Sequence, residues 1–391
     1  MQSVYDWLSP TEAGLMDEVQ PDGGVDNLRE VLSIHRTGDR PDLEGAVAAI
    51  VGVVDRRGSV DGAQTDRAPE AIRRELYRLT PPDNWKRVVD LGNLMAGERP
   101  EDTRAALREI CADLMAADIL PIVLGGSQSL SSAMYDAYEG QGRPVNIVTA
   151  DARLDFGGDP TKTDSGNWLN DLILATGGRL FDYTNLGHQR YLIDGDLLQL
   201  MQRMHFDPVR LGDLMADLRV AEPIIRHADL VSFDLGVVRA SDHPAQDSAS
   251  PNGLYGEQFC QLARYAGFSD RVTSFGLFEL DPNRDGEGRS ARLAAQSIWC
   301  FLEGVMERIG DYPRGSAGEY IKYRVDLKQA GHEVVFYKSP QSDRWWMDVP
   351  APSPVNKKGR LHLVPCTYDD YVKAAEGELP DRWWRTYQKL G

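Results

Sequence analysis

Four short apolar runs end on residues that can do chemistry. Val145-Asn146-Ile147-Val148 leads into Thr149-Ala150-Asp151-Ala152-Arg153-Leu154-Asp155, and Asp229 to Asp234 closes on a second aspartate. Val272 to Phe278 is followed by Glu279, and Ile119 to Leu124 runs into Gly125-Gly126-Ser127-Gln128-Ser129. Each run reads as a buried strand, too short for a helix. Carboxylates at the carboxyl ends of such strands sit on the rim of an open α/β sheet, where ligands bind. Asp151 and Asp155 converge there if the chain turns sharply between them. Taken alone, they read equally as ordinary strand-end and turn residues. Aspartates that face one point repel, and each has a raised pKa unless a cation sits among them. The Gly125-Gly126 pair permits a tight turn or close backbone approach to a ligand.

The elements that would position these residues alternate along the chain. Ala46 to Val54 and Val88 to Asn93 are further strands. Pro69 stands where a first-turn helix proline belongs, before Glu70 to Leu76. Residues 101–117 and Ser290 to Val305 have helical periodicity, and Leu169 to Leu174 and Leu192 to Met204 also read as helical. This alternation predicts a three-layer α/β fold with a doubly wound, mostly parallel sheet. The α/β domain spans 46–310. Residues 1–45 form a leader laid over its surface, and residues 311–391 form a β-rich, aromatic C-terminal extension packed on it.

The chain has 391 residues and a net charge of −17, from 60 acidic and 43 basic residues, which argues against a nucleic-acid or anionic-membrane surface. Cys111, Cys260, Cys300 and Cys366 show neither CxxC nor zinc spacing. That suits free thiols in a reducing compartment. No apolar run reaches membrane-spanning length, and no basic segment followed by an apolar one opens the chain. A cytoplasmic protein without membrane insertion is the expectation.

Taken in order, the strand ends resemble the ureohydrolase superfamily of arginase, agmatinase and formimidoylglutamase over residues 46–305. Gly125 to Ser129 stands for Gly-Gly-Asp-His-Ser, and Asp151 to Asp155 for Asp-Ala-His-x-Asp. Ser232-Phe233-Asp234-Leu235-Gly236-Val237-Val238-Arg239 stands for Ser-x-Asp-x-Asp-x-x-Asp. Pro244-Ala245, Pro251, Gly253-Leu254 and Glu257 echo the loop that follows, Glu279-Leu280-Asp281-Pro282 its Glu-x-x-Pro, and Ala63 to Arg73 the Gly-Ala-Arg-x-Gly-Pro-x-x-Ile-Arg turn. Tail included, the chain resembles the arginase-family proteins labelled formimidoylglutamase in bacteria of the Bacteroidetes type.

The resemblance implies an arginase-like fold, a homo-oligomer, and two manganese ions held by four aspartates and two histidines. Carried over, Asp151 and Asp234 take the bridging positions and Asp155 a position on the first ion. Gln128 replaces that ion's histidine. Arg153 replaces the second ion's histidine, and Gly236 an aspartate. Ser165-Gly166-Asn167-Trp168-Leu169 matches Ser-Gly-Asn-x-His, which puts Leu169 at the proton-shuttling position. Glu279 keeps the position that holds the substrate's guanidinium-like group. The metal positions read as vestigial, and no residue other than Glu279 is assigned a catalytic role.

These departures favour a non-catalytic pseudoenzyme with no resident cofactor, kept for structure, protein-partner binding or regulation. The alternative is a C–N hydrolase of the amidinohydrolase type using Mn²⁺ or Mg²⁺ at one residual site of Asp151, Asp155, Asp234 and Gln128. A small-ligand sensor in the old cleft is a third reading. Arg153 is expected to pair with Asp234 or Asp151 and so close the cleft. His188, His227 and His243 are available as replacement ligands; His243 is the best placed, though a loop histidine is usually just solvated. Trp345, Trp346, Trp383 and Trp384 require cover, which makes the tail a clasp on its own core or on a neighbouring subunit.

Overall fold

The computed structural model describes residues 2–15, 26–159, 161–174, 179–246, 249–313, 320–327, 332–350 and 362–390. Its strands are β1 Leu8–Ser9, β2 Ser33–Ile34, β3 Ala48–Val54, β4 Val88–Met95, β5 Leu120–Leu124, β6 Val145–Ala150 and β7 Leu180–His188, then β8 Val209–Arg210, β9 Leu230–Asp234, β10 Ser274–Phe278, β11 Ile321–Leu327, β12 His332–Lys338, β13 Trp345–Val349 and β14 His362–Cys366. The first sheet runs β1-β4-β3-β5-β10-β9-β6-β7-β8, with β2 also beside β4. Only β1 is antiparallel in it.

Strand periodicity sends alternate side chains to opposite faces. Ile50, Ile122, Val148, Phe233 and Phe275 pack under the helices Ala68–Leu76, Gly256–Phe268 and Arg289–Met306. Val51, Val123, Ile147 and Phe278 pack under Pro100–Ala116, Ser131–Asp136 and Gly195–Arg203. The result is the expected three-layer α/β architecture. The helices Gly256–Phe268 and Arg289–Met306 touch backbone to backbone. A Cβ on Gly267 would fall 1.9 Å from the Phe301 carbonyl oxygen, so only glycine fits there.

The leader is woven in rather than laid over the fold. β1 and β2 extend the sheet along the outer edge of β4, and Val4, Leu8, Leu28 and Ile34 are buried. An edge strand leaves a row of backbone groups unpaired, and these segments satisfy them.

The tail makes a second sheet, ordered β11-β12-β13-β14 and antiparallel throughout. Trp345 and Trp346 face opposite sides of β13, as neighbours on a strand must. Trp345 stacks with Tyr323 and Tyr371, while Trp346 lies under the Arg226 guanidinium of the core. Arg226 also donates to the carbonyls of Trp345 (3.1 Å) and Cys366 (3.2 Å), which ties the tail to the core. The C-terminal helix Asp381–Leu390 buries Trp383, whose Nε1 donates to the Asp348 carbonyl at 2.7 Å. Trp384 departs from the expectation of cover: it is 44% exposed. The proline-rich residues 351–354 lie outside the described residues.

Candidate active site

Parallel register positions the site. β5, β10, β9 and β6 are neighbours in that order, with Leu124 beside Leu277, Phe278 beside Asp234, and Phe233 beside Ala150. The strand ends are therefore level. Gln128, Glu279, Asp234, Asp151 and Asp155 emerge side by side on one rim. They form the floor of a cleft of about 470 Å³ lined by all of these except Gln128, together with Arg153, Gly236 and an apolar wall of Phe156, Leu192, Ile193 and Leu197.

Each side chain is set by its local backbone. Gly125 and Gly126 have φ of +75° and +77°, and side chains there would run into Pro69 and Leu130. Two left-handed residues in succession fold Gln128 back over the sheet end, where it is fully buried. Its backbone N–H donates to Glu279 Oε1 at 2.8 Å. Asp151 Oδ1 accepts from the Arg153 N–H at 2.7 Å, a side-chain turn that brings Asp155 back to the rim. Trp168 Nε1 fixes Asp155 Oδ2 at 2.9 Å. In the orientation that satisfies its hydrogen bonds, the Gln128 amide nitrogen donates to Asp151 Oδ2 at 3.0 Å and to Asp155 Oδ2 at 2.8 Å. Asp234 Oδ1 accepts from the Gly236 N–H at 2.5 Å. Glu279 sits at φ +65°, a strained conformation for a non-glycine residue.

The acids raise one another's pKa. Burial, then the Asp155 charge, holds Asp151 well above the usual carboxylate range; burial, then Asp151, does the same to Asp234. Burial is also the main cause that pushes Asp155 up to about 7 and Glu279 up to about 8, and Asp234 adds to both. Without a cation this group cannot carry its full charge near neutral pH.

Arg153 acts on this group only at a distance, its charge lowering the pKa of Asp151 and of Asp234 against their burial. Its side chain is exposed and makes no hydrogen bond or ion pair among the described residues, so the expected closure of the cleft by an Arg153 ion pair does not occur. At the rim the guanidinium keeps its water, whereas burial against Asp234 would cost several kcal/mol of desolvation. Leu169 is fully buried in the apolar cluster beneath the sheet and does not line the cleft. His243 is fully buried rather than solvated, with neither ring nitrogen partnered. Neither it nor His188 nor His227 lines the cleft.

Sequence reasoning did not single out Trp168, or Gln246 and Ser250 of the cleft lining. The signal for Trp168 lay in its place within Ser165 to Leu169. Gln246 and Ser250 fall inside the loop bracketed by Pro244 and Pro251.

The two-ion centre does not fit these residues. At the positions that the resemblance assigns to its histidines stand Gln128 and Arg153, and Gly236 has no side chain to offer. Among the described residues, no group of three or more His, Cys, Asp or Glu side chains forms a metal site by itself. The third member of the tight group with Asp151 and Asp155 is the Gln128 amide. With its oxygen turned inward, that amide and the two carboxylates make an all-oxygen set with Asp234 alongside. Such a set suits one hard divalent cation.

The sequence model of the arginase family matches residues 46–303. A formimidoylglutamase of Halobacterium salinarum is 30% identical over 326 residues, covering 78% of this chain and 99% of that protein. One from Photorhabdus laumondii is 26% identical over 248 residues, covering 60% and 77%. Among solved structures, the Mn²⁺-containing Trypanosoma cruzi formiminoglutamase superposes with a TM-score of 0.65 at 20% identity, covering 73% of this chain and 100% of that one. Bacillus subtilis formimidoylglutamase gives 0.66 at 17%, covering 78% and 98%. The match begins two residues before β3 and ends within the helix Arg289–Met306, so it takes in every strand end that builds the cleft. By its fold, its sequence and the order of its strand-end motifs, the chain belongs to the arginase family.

Proposed function

We propose that the chain is a C–N hydrolase of the formimidoylglutamase kind, acting on a linear amidine-bearing compound with one divalent cation in place of two. The observation that carries this reading is the cleft floor itself. Two buried acids, Asp151 and Asp155, and two half-buried ones, Asp234 and Glu279, face one another there, and Arg153, the residue expected to neutralise them, is exposed at the cleft wall and ion-pairs with none of them. The formimidoylglutamase relatives and the Mn²⁺-containing structural neighbour support it.

Asp151, Asp155, Asp234 and Gln128 Oε1 would hold the cation, which polarises the amidine carbon and makes water more acidic. Glu279 takes the amidinium N–H groups; a cationic partner lets it ionise despite its burial. The Gln128 N–H and the strained backbone fix the direction in which Glu279 points. Trp168 holds Asp155 by its Oδ2. Phe156, Leu192, Ile193 and Leu197 exclude bulk water on one side.

A second reading, a binding protein without turnover, is favoured by one observation. With its nitrogen inward, Gln128 satisfies Asp151 and Asp155 with no metal at all. Metal analysis of protein purified without chelator, followed by assay with formiminoglutamate, agmatine and arginine, decides between the two. About one equivalent of Mn²⁺ or Mg²⁺ and turnover of at least one compound is the expected result. No bound divalent ion together with no turnover would leave the binding reading standing alone.

A further inference from the structure

The four cysteines are free thiols, and two of them stand together. The helices Gly256–Phe268 and Arg289–Met306 follow β9 and β10 and run in parallel over one face of the sheet. They touch through their backbones: a Cβ on Gly304 would fall 2.6 Å from the Arg264 carbonyl oxygen. Across the same seam Arg264 Nε donates to Glu303 Oε2 at 2.6 Å. Cys260 lies one helical turn before Arg264, and Cys300 one turn before Gly304, so the two cysteines face each other a turn from that contact. The thiols meet there, each acting on the other through a side-chain hydrogen bond. Both are partly exposed, whereas Cys111 and Cys366 are buried.

Free thiols often fill such a seam as small apolar side chains and do nothing more. Two features here go beyond packing. A disulfide requires Cα atoms roughly 4.4–6.8 Å apart, a separation that a backbone-to-backbone seam allows. The pair is also unsymmetrical. The hydrogen bond from Cys260, with a smaller part from the Arg264 charge, holds the Cys300 thiol below its usual pKa despite its burial. The same hydrogen bond, then burial, holds Cys260 well above. Cys300 is therefore the nucleophile of the two, and Cys260 keeps its proton.

We propose that Cys260 and Cys300 form a peroxide-reactive dithiol that closes reversibly to an intrachain disulfide. The Cys300 sulfur attacks one peroxide oxygen, the O–O bond breaks and hydroxide leaves, so Cys300 becomes a sulfenic acid. The Cys260 sulfur then attacks the Cys300 sulfur. The S–O bond breaks, and the oxygen leaves as water with the Cys260 proton. Two thiols lose two electrons, and the peroxide is reduced to two waters. The new bond ties the helix after β9, which ends on Asp234, to the helix after β10, which leads into Glu279. No cleft residue takes part, so the reaction is independent of the proposed hydrolysis.

The test is peroxide treatment of the full chain, then thiol titration in denaturant and peptide mapping without reductant. A small molar excess of hydrogen peroxide should lower the titratable thiols from four to two and join the peptides that hold Cys260 and Cys300, without linking one chain to another. Dithiothreitol should restore all four. Cys260→Ser should leave a sulfenic acid on Cys300 that dimedone captures, and Cys300→Ser should leave Cys260 unlabelled after the same exposure. The peptide map of the parent protein decides the matter even if a variant fails to fold. The proposal is overturned if four thiols survive an exposure that oxidises a simple dithiol. It is overturned equally if Cys300 passes to sulfinic acid without joining Cys260, or joins another cysteine instead.

Discussion

Arg153 shows how one residue's solvent preference decides the character of the cleft. Standing at a rim, a guanidinium that remains hydrated contributes little, whereas one buried in an ion pair would be worth several kcal/mol on removal. Arg153→Ala is therefore expected to change unfolding free energy by less than about 0.5 kcal/mol in urea titrations; a loss of 3 kcal/mol would mean a buried pair. The acids make a pH prediction. Asp155 and Glu279 have folded pKa values raised to about 7 and about 8, so folding disfavours their charged forms. With chelator present, their contribution to stability should be full below their ordinary pKa values, near 4, and fall as pH rises through 7 and 8. Millimolar Mn²⁺ or Mg²⁺ should flatten that fall, and a melting curve unaffected by either ion at pH 8.5 would count against a cation site. Gly236 sets a limit on rebuilding the family's second site. An added Cβ there would stand 2.9 Å from Asp234 Oδ1, so Asp234 must move. Arg153→His with Gly236→Asp should gain Mn²⁺ affinity by calorimetry and lose about 1–2 kcal/mol of metal-free stability.

At the scale of elements, the strands that carry the site were legible because each is a buried apolar run closed by a polar residue. β6 begins and ends where the run Val145 to Ala150 does, and the helix Leu169–Leu174 also matches its sequence reading. β7 was not legible. Leu180–His188 mixes Asp182, Thr184 and Asn185 with its apolar residues, because its neighbours supply polar partners. Gln128 and Arg153 were legible as strand-end residues of the cleft, yet the exposure of Arg153 was not, since hydration rather than sequence pattern decides it. In the tail, the expectation that all four tryptophans need cover failed at one residue, and stability should follow burial accordingly. Trp346→Ala should cost about 3–5 kcal/mol in chemical denaturation, and Trp384→Ala far less. A comparable loss for both would imply that Trp384 is covered in solution, as an intersubunit clasp would require.

Seen whole, the molecule is two sheets joined by a polar seam. Arg226 reaches the tail's backbone, Lys389 and Arg385 reach core aspartates, and Arg344 bonds Asp311 at the junction. No helix among the described residues is long and apolar enough to cross a membrane. The large sheet ends at one side on β8, only two residues long, which offers little to a foreign strand. Its other side would end on β4, eight residues long and buried over all but the last. β1 and β2 occupy that edge. Removing residues 2–34 would expose a long hydrophobic template to every other copy in solution, so the truncated chain should form thioflavin-positive aggregates at concentrations where the full chain stays clear. The first residues thus act as a built-in guard against polymerisation.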